Sequence, residues 1–578
     1  MTAAKIHRRR RVIAACLLMA GFAAILFRLF SLQVLQAAEL TARADRQHRK
    51  AVTVEGRRGG IYDRNGKVLA MNMDVPSVFG VPASLENPAG VARDLARVLH
   101  VRADDIERKL RQERSFVWIA RKLDPEQGRS LESLSLEGIG TIMEGRRFYP
   151  KGGLLAHVLG FAGMDGAGLE GVERRYEPYL RGEKQMVVLQ RDALGRTVFP
   201  KGLTEQGPPS GHSVILTVDE VIQYIAEKEL SDAVTAARAK GGTVVVMDPK
   251  TGAILAMAIH PRFDPNSVRG TSADLWRNRT LTDAYEPGST MKMFTAAAAL
   301  EEKLMRPGTM INGENGKFET AGRVIHDHEK HGMMTFAEVI QKSSNVGAAK
   351  VAMALGEERL YRYLRAFGFG ERSEVDLPGE VAGLVKDPRD WGRQSLTSIA
   401  FGQEIGITTL QLTAAVSAIA NGGWLLKPYV VSEIRDSAGQ VVAKAGPQIR
   451  RRPITLETAE SLTAILEGVV TQGTGGRAAV PGYRVAGKTG TAQKIDPQTG
   501  RYSPTLFVAS FTGFVPAEAP RLAIAVVIDE PHSDQWGGTI AAPVFRRIAE
   551  QTLNYLNASP QAPVRLAIVA GDGEGPLL

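Results

Sequence analysis

The segment EPGSTMKMFTAAAAL, residues 286–300, contains the most informative residues of the chain. Its second half is rich in alanine and favours a helix, and Pro287-Gly288 marks a turn in front of it. Ser289 is therefore predicted on the first helical turn, with Lys292 three residues later on the same face. A serine needs an adjacent base to act as a nucleophile, and a lysine desolvated in a pocket can serve because its pKa falls. The pattern S-x-x-K predicts an activated serine, although on its own it also fits an ordinary helix start.

A second short motif follows the first at a predicted junction between two helices. Residues 343–345, Ser-Ser-Asn, fall between helical patterns at 335–342 and 346–355. A turn at this place would present the side chains of Ser343 and Asn345 together. Taken singly, the motif also fits a helix cap.

The third motif, Lys-Thr-Gly-Thr at 488–491, lies on a predicted strand. Gly490 would let a ligand approach the backbone there. The side chains of Lys488, Thr489 and Thr491 can hold a carboxylate through charged and hydroxyl donors. The motif therefore predicts an anion-binding strand.

The three motifs occur in the order helix, turn and strand, and this set is the active-site signature of penicillin-binding proteins and class A β-lactamases. Five segments resemble the class B penicillin-binding proteins, namely 58–66, 168–173, 216–219, 286–289, and 537–538 with 541–545. Within that class, the basic N-terminal tail and the length are most similar to the division-specific FtsI type. A second Lys-Thr-Gly, at 250–252, precedes the serine in a predicted hairpin turn and is interpreted as structural.

The resemblance implies a D,D-transpeptidase that cross-links stem peptides during bacterial septal cell-wall synthesis and binds β-lactams covalently. Ser289 would attack the penultimate D-Ala carbonyl of a pentapeptide stem, with Lys292 as the base. Ser343 would relay a proton toward the leaving amine, and Asn345 would orient the substrate amide. Terminal D-Ala would leave, and an amine of a neighbouring stem would then resolve the ester.

The resemblance also assigns the substrate contacts and the partners. Lys488, Thr489 and Thr491, with Gly490 between them, would bind the carboxylate of the substrate or of a β-lactam. The backbone N–H groups of Ser289 and Thr491 would form the oxyanion hole. The implied partners are a membrane-embedded glycosyltransferase of the SEDS type and other division proteins. No cofactor, metal ion or nucleic acid is implied.

Three other functions remain open for a chain with these motifs. One is an elongation-type class B transpeptidase, and another is a β-lactam hydrolase or sensor. Hydrolysis would need a base for deacylation, and no dedicated one is identifiable from the sequence. The third is a non-catalytic division scaffold that uses its anchor and support domain for partner contacts.

Two sequence patterns suggest unrelated chemistry. Residues 482–489 satisfy G-x-x-x-x-G-K-T, but a phosphate-binding loop needs a helix that starts at the Lys-Thr pair. Residues 490–497 favour strand and turn instead. The run His-Asp-His-Glu-Lys-His at 326–331 resembles a metal cluster, but it lacks helical spacing and is predicted to be a solvated loop.

Composition limits the remaining possibilities. The chain has 578 residues, 44% hydrophobic and 23% charged, which is typical of globular domains and excludes wholesale disorder or a polytopic membrane protein. A single cysteine, Cys16, excludes a disulfide framework and a thiolate zinc cluster. The net charge of +10 is partly concentrated in residues 5–11, so it is weak evidence for nucleic-acid binding.

The N-terminal sequence predicts a membrane anchor. After the basic tail, 1–11, the stretch 12–35 is apolar except for Arg28 and a few polar residues near its end, and a helix of about 24 residues can span a bilayer. A cleaved signal peptide is disfavoured because Arg28 and Phe30 occupy the place where small residues would mark the cleavage site. The positive-inside rule places the tail in the cytoplasm and the remainder outside the inner membrane.

The rest of the chain predicts a mixed α+β support (dimerisation or pedestal) domain at 36–206 and a transpeptidase domain at 211–558, followed by a flexible tail at 559–578. The fold class is α/β in the wide sense, an α+β serine transpeptidase fold. A hairpin-connected antiparallel sheet of five strands is expected, with a helical region at about 288–470 between its second and third strands and a closing helix at about 542–556. The predicted strands are 243–247, 253–259, 484–494, 506–514 and 522–529.

Overall fold

The computed structural model describes residues 3–41, 49–114, 116–191, 197–198, 210–496 and 498–560. The chain divides into two units, Met1–Arg57 with Gly182–Ser210, and Arg58–Arg181 with Gly211–Leu578. Most of the predicted C-terminal tail, 561–578, lies outside the described residues.

The first unit contains an N-terminal helix and a small sheet. The helix runs over Ala3–Phe30 and continues as a π-helical turn, Ser31–Leu35. It starts before the predicted apolar stretch because the preceding Lys and Arg residues are also good helix formers. Among the described residues, Lys5–Leu35 is the one helix whose length and composition would allow it to cross a membrane. Three strands form the sheet, in the order Arg49–Glu55, Lys184–Arg191 and Thr197–Val198.

The second unit is built around a five-stranded antiparallel sheet, as predicted from the sequence. Its spatial order is Ile254–His260, Gly241–Met247, Leu522–Asp529, Tyr502–Val515 and Ala486–Ile495. Helices Glu220–Ala237 and Gly537–Tyr555 pack on one face. The other face is covered by Lys292–Glu301, Thr409–Ala420 and Leu456–Thr471. Since both faces of the sheet are buried, the sequences of its strands are nearly continuous runs of apolar residues.

A second sheet joins strands from both ends of this unit. Its order is Val441–Lys444, Val431–Arg435, Ser213–Leu216, Ile61–Tyr62, Val68–Gly80 and Val117–Ala120, and Ile139–Phe148 also pairs with Val68–Gly80. Three helices cover its outer strands around a separate core that includes Leu95 and Ile106, and they are Pro88–Leu99, Ala103–Leu110 and Pro125–Ser133.

The region predicted as helical, 288–470, is only partly so. Its helices beyond those already named are Phe336–Gln341, Asn345–Leu355, Glu357–Ala366 and Ser395–Ala400. Short strand pairs interrupt them: Met310–Asn312 with Met333–Thr335, Lys317–Thr320 with Arg323–His326, and Leu425–Leu426 with Ile449–Arg451. Strands of two to four residues are too short to show a period in the sequence, so the helical prediction is wrong at these places.

The closing helix begins at Gly537 and not near 542 as predicted. Glycine has low helix propensity, which favours a later start in the sequence. The structure gives the reason for a glycine here. A Cβ atom on Gly537 would lie 2.2 Å from the carbonyl oxygen of Ser510 and 2.3 Å from that of Gly490. The helix therefore starts where its backbone touches the edge of the central sheet.

Candidate active site

Ser289 lies on a tight turn at the start of a buried helix. The 3-10 turn Gly288–Met291 runs directly into the helix Lys292–Glu301. The N–H of Gly288 donates a hydrogen bond to the carbonyl oxygen of Gly402 at 3.1 Å. Gly402 has a φ of +87°, and a Cβ atom on it would lie 2.1 Å from the carbonyl oxygen of Gly288. The serine is thus held by a close backbone contact that only glycine permits.

Lys292 is fully buried and lies beneath the serine. Its Nζ is 3.0 Å from Ser289 Oγ and 3.2 Å from Ser343 Oγ. It also donates to the carbonyl oxygen of Ser343 at 2.6 Å and to Asn345 Oδ1 at 2.7 Å. Burial lowers the pKa of Lys292 to about 7, although the nearby Asp327 carboxylate acts in the opposite direction. A substantial fraction of Lys292 is therefore unprotonated at neutral pH and able to accept a proton from Ser289.

Residues 343–345 form the predicted turn between two helices, and Asn345 begins the second one. Ser343 has a left-handed backbone with a φ of +60°. Ser344 caps the following helix, because its Oγ accepts a hydrogen bond from the N–H of Gly347 at 2.8 Å. The helix-cap interpretation is thus confirmed for Ser344, while the side chains of its two neighbours contact Lys292.

Asp327 is the anchor of this turn and was missed as a site residue. Its Oδ1 accepts from the N–H groups of Asn345 at 2.5 Å and Val346 at 3.0 Å, and its Oδ2 accepts from Ser344 Oγ at 2.6 Å. The prediction that 326–331 is only a solvated loop is wrong for this residue. Since Asp327 lies 18 residues before Asn345, no local sequence pattern connects them.

The strand Ala486–Ile495 brings the third motif to the same place. Lys488 is fully buried and its Nζ is 2.9 Å from Ser343 Oγ. Burial, and then the charge of Lys292, lower the pKa of Lys488 well below its usual range. A Cβ atom on Gly490 would lie 2.8 Å from the carbonyl oxygen of Pro287, so this glycine lets the strand pack against the serine turn.

The two threonines of the motif contact neighbouring loops. Thr489 Oγ1 shares a hydrogen bond with Thr474 Oγ1 at 2.7 Å. Thr491 Oγ1 accepts from the N–H of Gly537 at 3.2 Å. These contacts fix the hydroxyl groups at the side of the cleft where the strand runs.

A cleft of about 1220 Å³ opens above these residues. Of the predicted site residues, Ser289, Ser343, Asn345, Thr489 and Thr491 line it. Lys292 and Lys488 are buried beneath the cleft. Their Nζ atoms contact the hydroxyl groups of Ser289 and Ser343, which line it. The structure therefore brings the three motifs together into one hydrogen-bonded group.

The rival chemistries can also be compared with the structure. Residues 486–495 form a strand, so the helix that a phosphate-binding loop requires does not start at Lys488, as the sequence predicted. Within the described part of the chain, no group of three or more His, Cys, Asp or Glu side chains is placed to hold a metal ion.

Comparison with known proteins agrees with this geometry. Residues 242–550 match the family model of the penicillin binding protein transpeptidase domain, and residues 53–216 match that of the penicillin-binding protein dimerisation domain. The chain is 37% identical over 542 residues to stage V sporulation protein D of Bacillus subtilis, covering 92% of this chain and 84% of that protein. It is 31% identical over 579 residues to peptidoglycan D,D-transpeptidase FtsI of Escherichia coli, covering 98% and 95%.

A solved structure shows the same architecture. Penicillin binding protein 3 from Mycobacterium tuberculosis, complexed with aztreonam, matches with a TM-score of 0.69 at 29% identity, covering 89% of this chain and 99% of that one. The fold and the three motifs define a serine acyltransferase of the penicillin-binding type. The chain belongs to the class B penicillin-binding proteins and carries their transpeptidase and dimerisation domains. The family and the fold class predicted from the sequence are confirmed.

Proposed function

We propose that this protein is a peptidoglycan D,D-transpeptidase that works through an acyl-enzyme on Ser289. The observation that carries the proposal is the 3.0 Å contact between Ser289 Oγ and the buried Nζ of Lys292. Such a pair supplies a nucleophile and a base of near-neutral pKa. Two relatives support the substrate. One is named peptidoglycan D,D-transpeptidase FtsI, of Escherichia coli, and the other is named probable peptidoglycan D,D-transpeptidase PenA, of Neisseria gonorrhoeae.

Acylation follows from the contacts of these groups. Ser289 Oγ attacks the carbonyl carbon of the penultimate D-Ala and gives its proton to Lys292 Nζ. The C–O bond forms, the C–N bond to the terminal D-Ala breaks, and the leaving nitrogen takes a proton by way of Ser343. The hydroxyl of Ser343 is suited to this relay because it lies 3.2 Å from Lys292 Nζ and 2.9 Å from Lys488 Nζ.

The second half-reaction reverses these proton movements. The amine of a neighbouring stem attacks the ester carbonyl, the bond to Ser289 Oγ breaks, and the serine recovers its proton. A β-lactam would enter the first half-reaction only, because its opened ring keeps the leaving nitrogen attached. The N–H groups of Ser289 and Thr491 would stabilise the oxyanion, each worth about 10²–10³ in rate. The carboxylate would contact Lys488 and the threonines on either side of Gly490.

Replacement of Ser289 by alanine is expected to abolish covalent labelling by a fluorescent penicillin. The fold should persist, because the side chain is small and lies at the surface of the cleft. Gel fluorescence of intact protein measures the labelling, and thermal unfolding controls for the fold. Labelling of the variant at wild-type stoichiometry would exclude Ser289 as the acylated residue.

The same assay separates the alternative functions. A stable acyl-enzyme on wild-type protein supports the transpeptidase, whether in division or elongation. Rapid loss of the label would indicate a β-lactam hydrolase, and wild-type protein that takes no label at all would indicate a scaffold.

The N-terminal helix supports a membrane-anchored enzyme. Four consecutive arginines, Arg8 to Arg11, precede its apolar part, and the positive-inside rule places them in the cytoplasm. The catalytic domain would then lie on the outer side of the inner membrane, where peptidoglycan is built. The resemblance of the sequence to the division-specific FtsI type supports a role in septum formation.

The proposed partner is a SEDS-type glycosyltransferase in the membrane. The segment between the N-terminal helix and the catalytic domain matches the dimerisation model over 53–216, which leaves little of that segment for a polymerase. Purified protein given undecaprenyl-linked disaccharide precursor is expected to yield no glycan polymer, and to cross-link strands once a partner polymerase is added. Gel separation of labelled glycan is the measurement, and polymer made by this chain alone would contradict the prediction.

A further inference from the structure

Two cationic side chains line the cleft and take no part in the acylation steps given above. They are Lys342 and Arg477, and apart from two histidines they are the cationic side chains among the described residues that line it. Lys342 is the C-terminal cap of the helix Phe336–Gln341, and Arg477 lies in the 3-10 turn Gly476–Ala478. Both residues are exposed. This pair is here called the cationic rim.

The two segments that carry the cationic rim touch each other. The N–H of Thr474 donates a hydrogen bond to the carbonyl oxygen of Gln341 at 3.4 Å. A Cβ atom on Gly473 would lie 2.2 Å from the same oxygen. The end of the helix therefore packs against the loop in front of the 3-10 turn, which places Lys342 and Arg477 at the same end of the cleft.

The cationic rim adjoins the groups that handle the leaving D-Ala in the proposed reaction. Lys342 is followed by Ser343, the proposed proton relay, whose Oγ lies 2.9 Å from Lys488 Nζ. Thr474 Oγ1 shares a hydrogen bond of 2.7 Å with Thr489 Oγ1, and Thr489 belongs to the group proposed to bind the terminal carboxylate. The rim thus lies next to the side of the cleft from which the terminal D-Ala departs.

Arg477 carries the charge of the rim that is free to meet a ligand. Lys342 Nζ lies 3.5 Å from Glu338 Oε1, whereas no carboxylate in the described part of the chain is paired with Arg477. The exposed carboxylate that lines the cleft, Glu329, lies 3.8 Å from His331 Nε2. The planar guanidinium of Arg477 can therefore accept a carboxylate that a substrate brings.

The chemistry of the two half-reactions indicates which substrate reaches this rim. The donor stem ends at the terminal D-Ala, whose carboxylate is assigned to Lys488 and Thr489, so the donor does not extend further. The acceptor amine attacks from the side where the leaving nitrogen departed, because the second half-reaction reverses the first. The rest of the acceptor then extends past the place of the terminal D-Ala. An acceptor stem is itself a peptide that ends in a carboxylate.

We propose that Arg477, with Lys342 beside it, binds the terminal carboxylate of the acceptor stem and so holds the acceptor amine at the acyl-enzyme. The inference rests on the proposed acyl-enzyme on Ser289. In this step the acceptor nitrogen forms a bond to the ester carbonyl carbon, and the bond from that carbon to Ser289 Oγ breaks. A proton of the acceptor nitrogen passes by way of Ser343 to Lys292, which returns it to the serine. Arg477 binds the second substrate and transfers no proton.

The test separates acceptor binding from acylation with the full-length protein. Donor strands carry pentapeptide stems. Labelled acceptor strands carry tetrapeptide stems, which lack the terminal D-Ala and end either in a carboxylate or in a carboxamide. The variants are Arg477→Gln, Arg477→Lys and Arg477→Glu. Two quantities are measured for each variant, the acceptor concentration that gives half-maximal cross-linking and the rate of acylation by a fluorescent penicillin.

Arg477→Gln is expected to raise the half-maximal concentration of the carboxylate acceptor by about 2- to 5-fold, the factor for one exposed ion pair. Arg477→Glu should raise it further, and Arg477→Lys should stay close to the wild type because it keeps the charge. The carboxamide acceptor should show no dependence on residue 477. Penicillin acylation should stay within about 2-fold for every variant, because the donor does not reach the rim.

Arg372→Gln is the matched control, since Arg372 is also exposed and does not line the cleft. It makes the same change in charge and should leave both quantities unchanged. Equal losses for the two acceptors, a loss of the same size in the control, or acylation that slows in parallel would each overturn the acceptor site and leave the acyl-enzyme standing. A wild type that penicillin does not label, or that forms no cross-links, would overturn the proposed function and the acceptor site with it.

Discussion

Replacement of Lys292 by alanine is expected to lower the acylation rate by about 10²–10⁴, the usual contribution of a general base. The reason is geometric, because Lys292 Nζ lies 3.0 Å from Ser289 Oγ and is the titratable group nearest to it in the described contacts. Stopped-flow acylation with a chromogenic β-lactam measures the rate at saturating ligand. Lys292→Arg should be equally inactive, since a guanidinium does not lose its proton near neutral pH.

The pH dependence gives a second readout of the same base. Because Lys292 acts in its unprotonated form, the wild-type acylation rate should rise with pH, pass its midpoint near the pKa of about 7 and then level off. The Asp327 carboxylate favours the protonated lysine. Asp327→Asn should therefore move the midpoint to lower pH. A midpoint that stays in place, or a rate that falls with rising pH, would contradict this role of Lys292.

Lys488 provides the contrast, since it is equally buried but its described hydrogen bonds go to Ser343 and Thr489 and not to Ser289. Burial and Lys292 lower its pKa, and an incoming carboxylate opposes both effects by favouring the charged form. Lys488→Ala should chiefly weaken ligand binding, by about 1.5–3 kcal/mol for a charged hydrogen bond. If both alanine variants lost only affinity, the proposed division of roles would be wrong.

Replacement of Gly402 by alanine is expected to reduce acylation by about 10²-fold, the cost of displacing a reacting group by roughly 1 Å. A Cβ atom there would lie 2.1 Å from the carbonyl oxygen of Gly288 and 2.6 Å from its nitrogen. The atoms in the way belong to the backbone of Gly288, which cannot rotate aside as a side chain can. The turn that carries Ser289 therefore has to shift to make room for the Cβ atom.

Gly439→Ala is the matched control for this variant. Gly439 has a φ of +82°, close to the +87° of Gly402, and a Cβ atom on it meets nothing within 4 Å. Both variants carry the left-handed backbone penalty of about 1–2 kcal/mol, but only Gly402→Ala disturbs the serine turn. Comparable acylation rates for the two would show that the close contact has no catalytic importance.

The sequence predicted the three candidate catalytic motifs because each depends on local chemistry. Ser289 and Lys292 are separated by a spacing that is typical of a helix, and the turn at 343–345 lies between two helical patterns. The five long strands are recognisable because both faces of their sheet are buried, which makes their sequences apolar. Contacts between distant segments were not predictable in this way. The contact of Asp327 with the helix start at Asn345 and the contact of Gly402 with Gly288 both depend on loops that the folded core brings together.

The pairing of Ile61 with Val214 predicts how the protein responds to proteolysis and truncation. The strand Ile61–Tyr62 lies parallel to Ser213–Leu216, which pairs on its other side with Val431–Arg435 from deep within the catalytic region. Proteolytic cleavage near residues 206–211, followed by loss of the residues before the cut, would remove the strand Ile61–Tyr62 that pairs with Ser213–Leu216. The bared edge would offer its free N–H and C=O groups to other chains. Residues Arg58–Arg181 and the chain from Gly211 onward therefore belong to one folding unit, and a fragment that starts at 211 is at risk of edge-to-edge aggregation even though it contains every proposed catalytic residue.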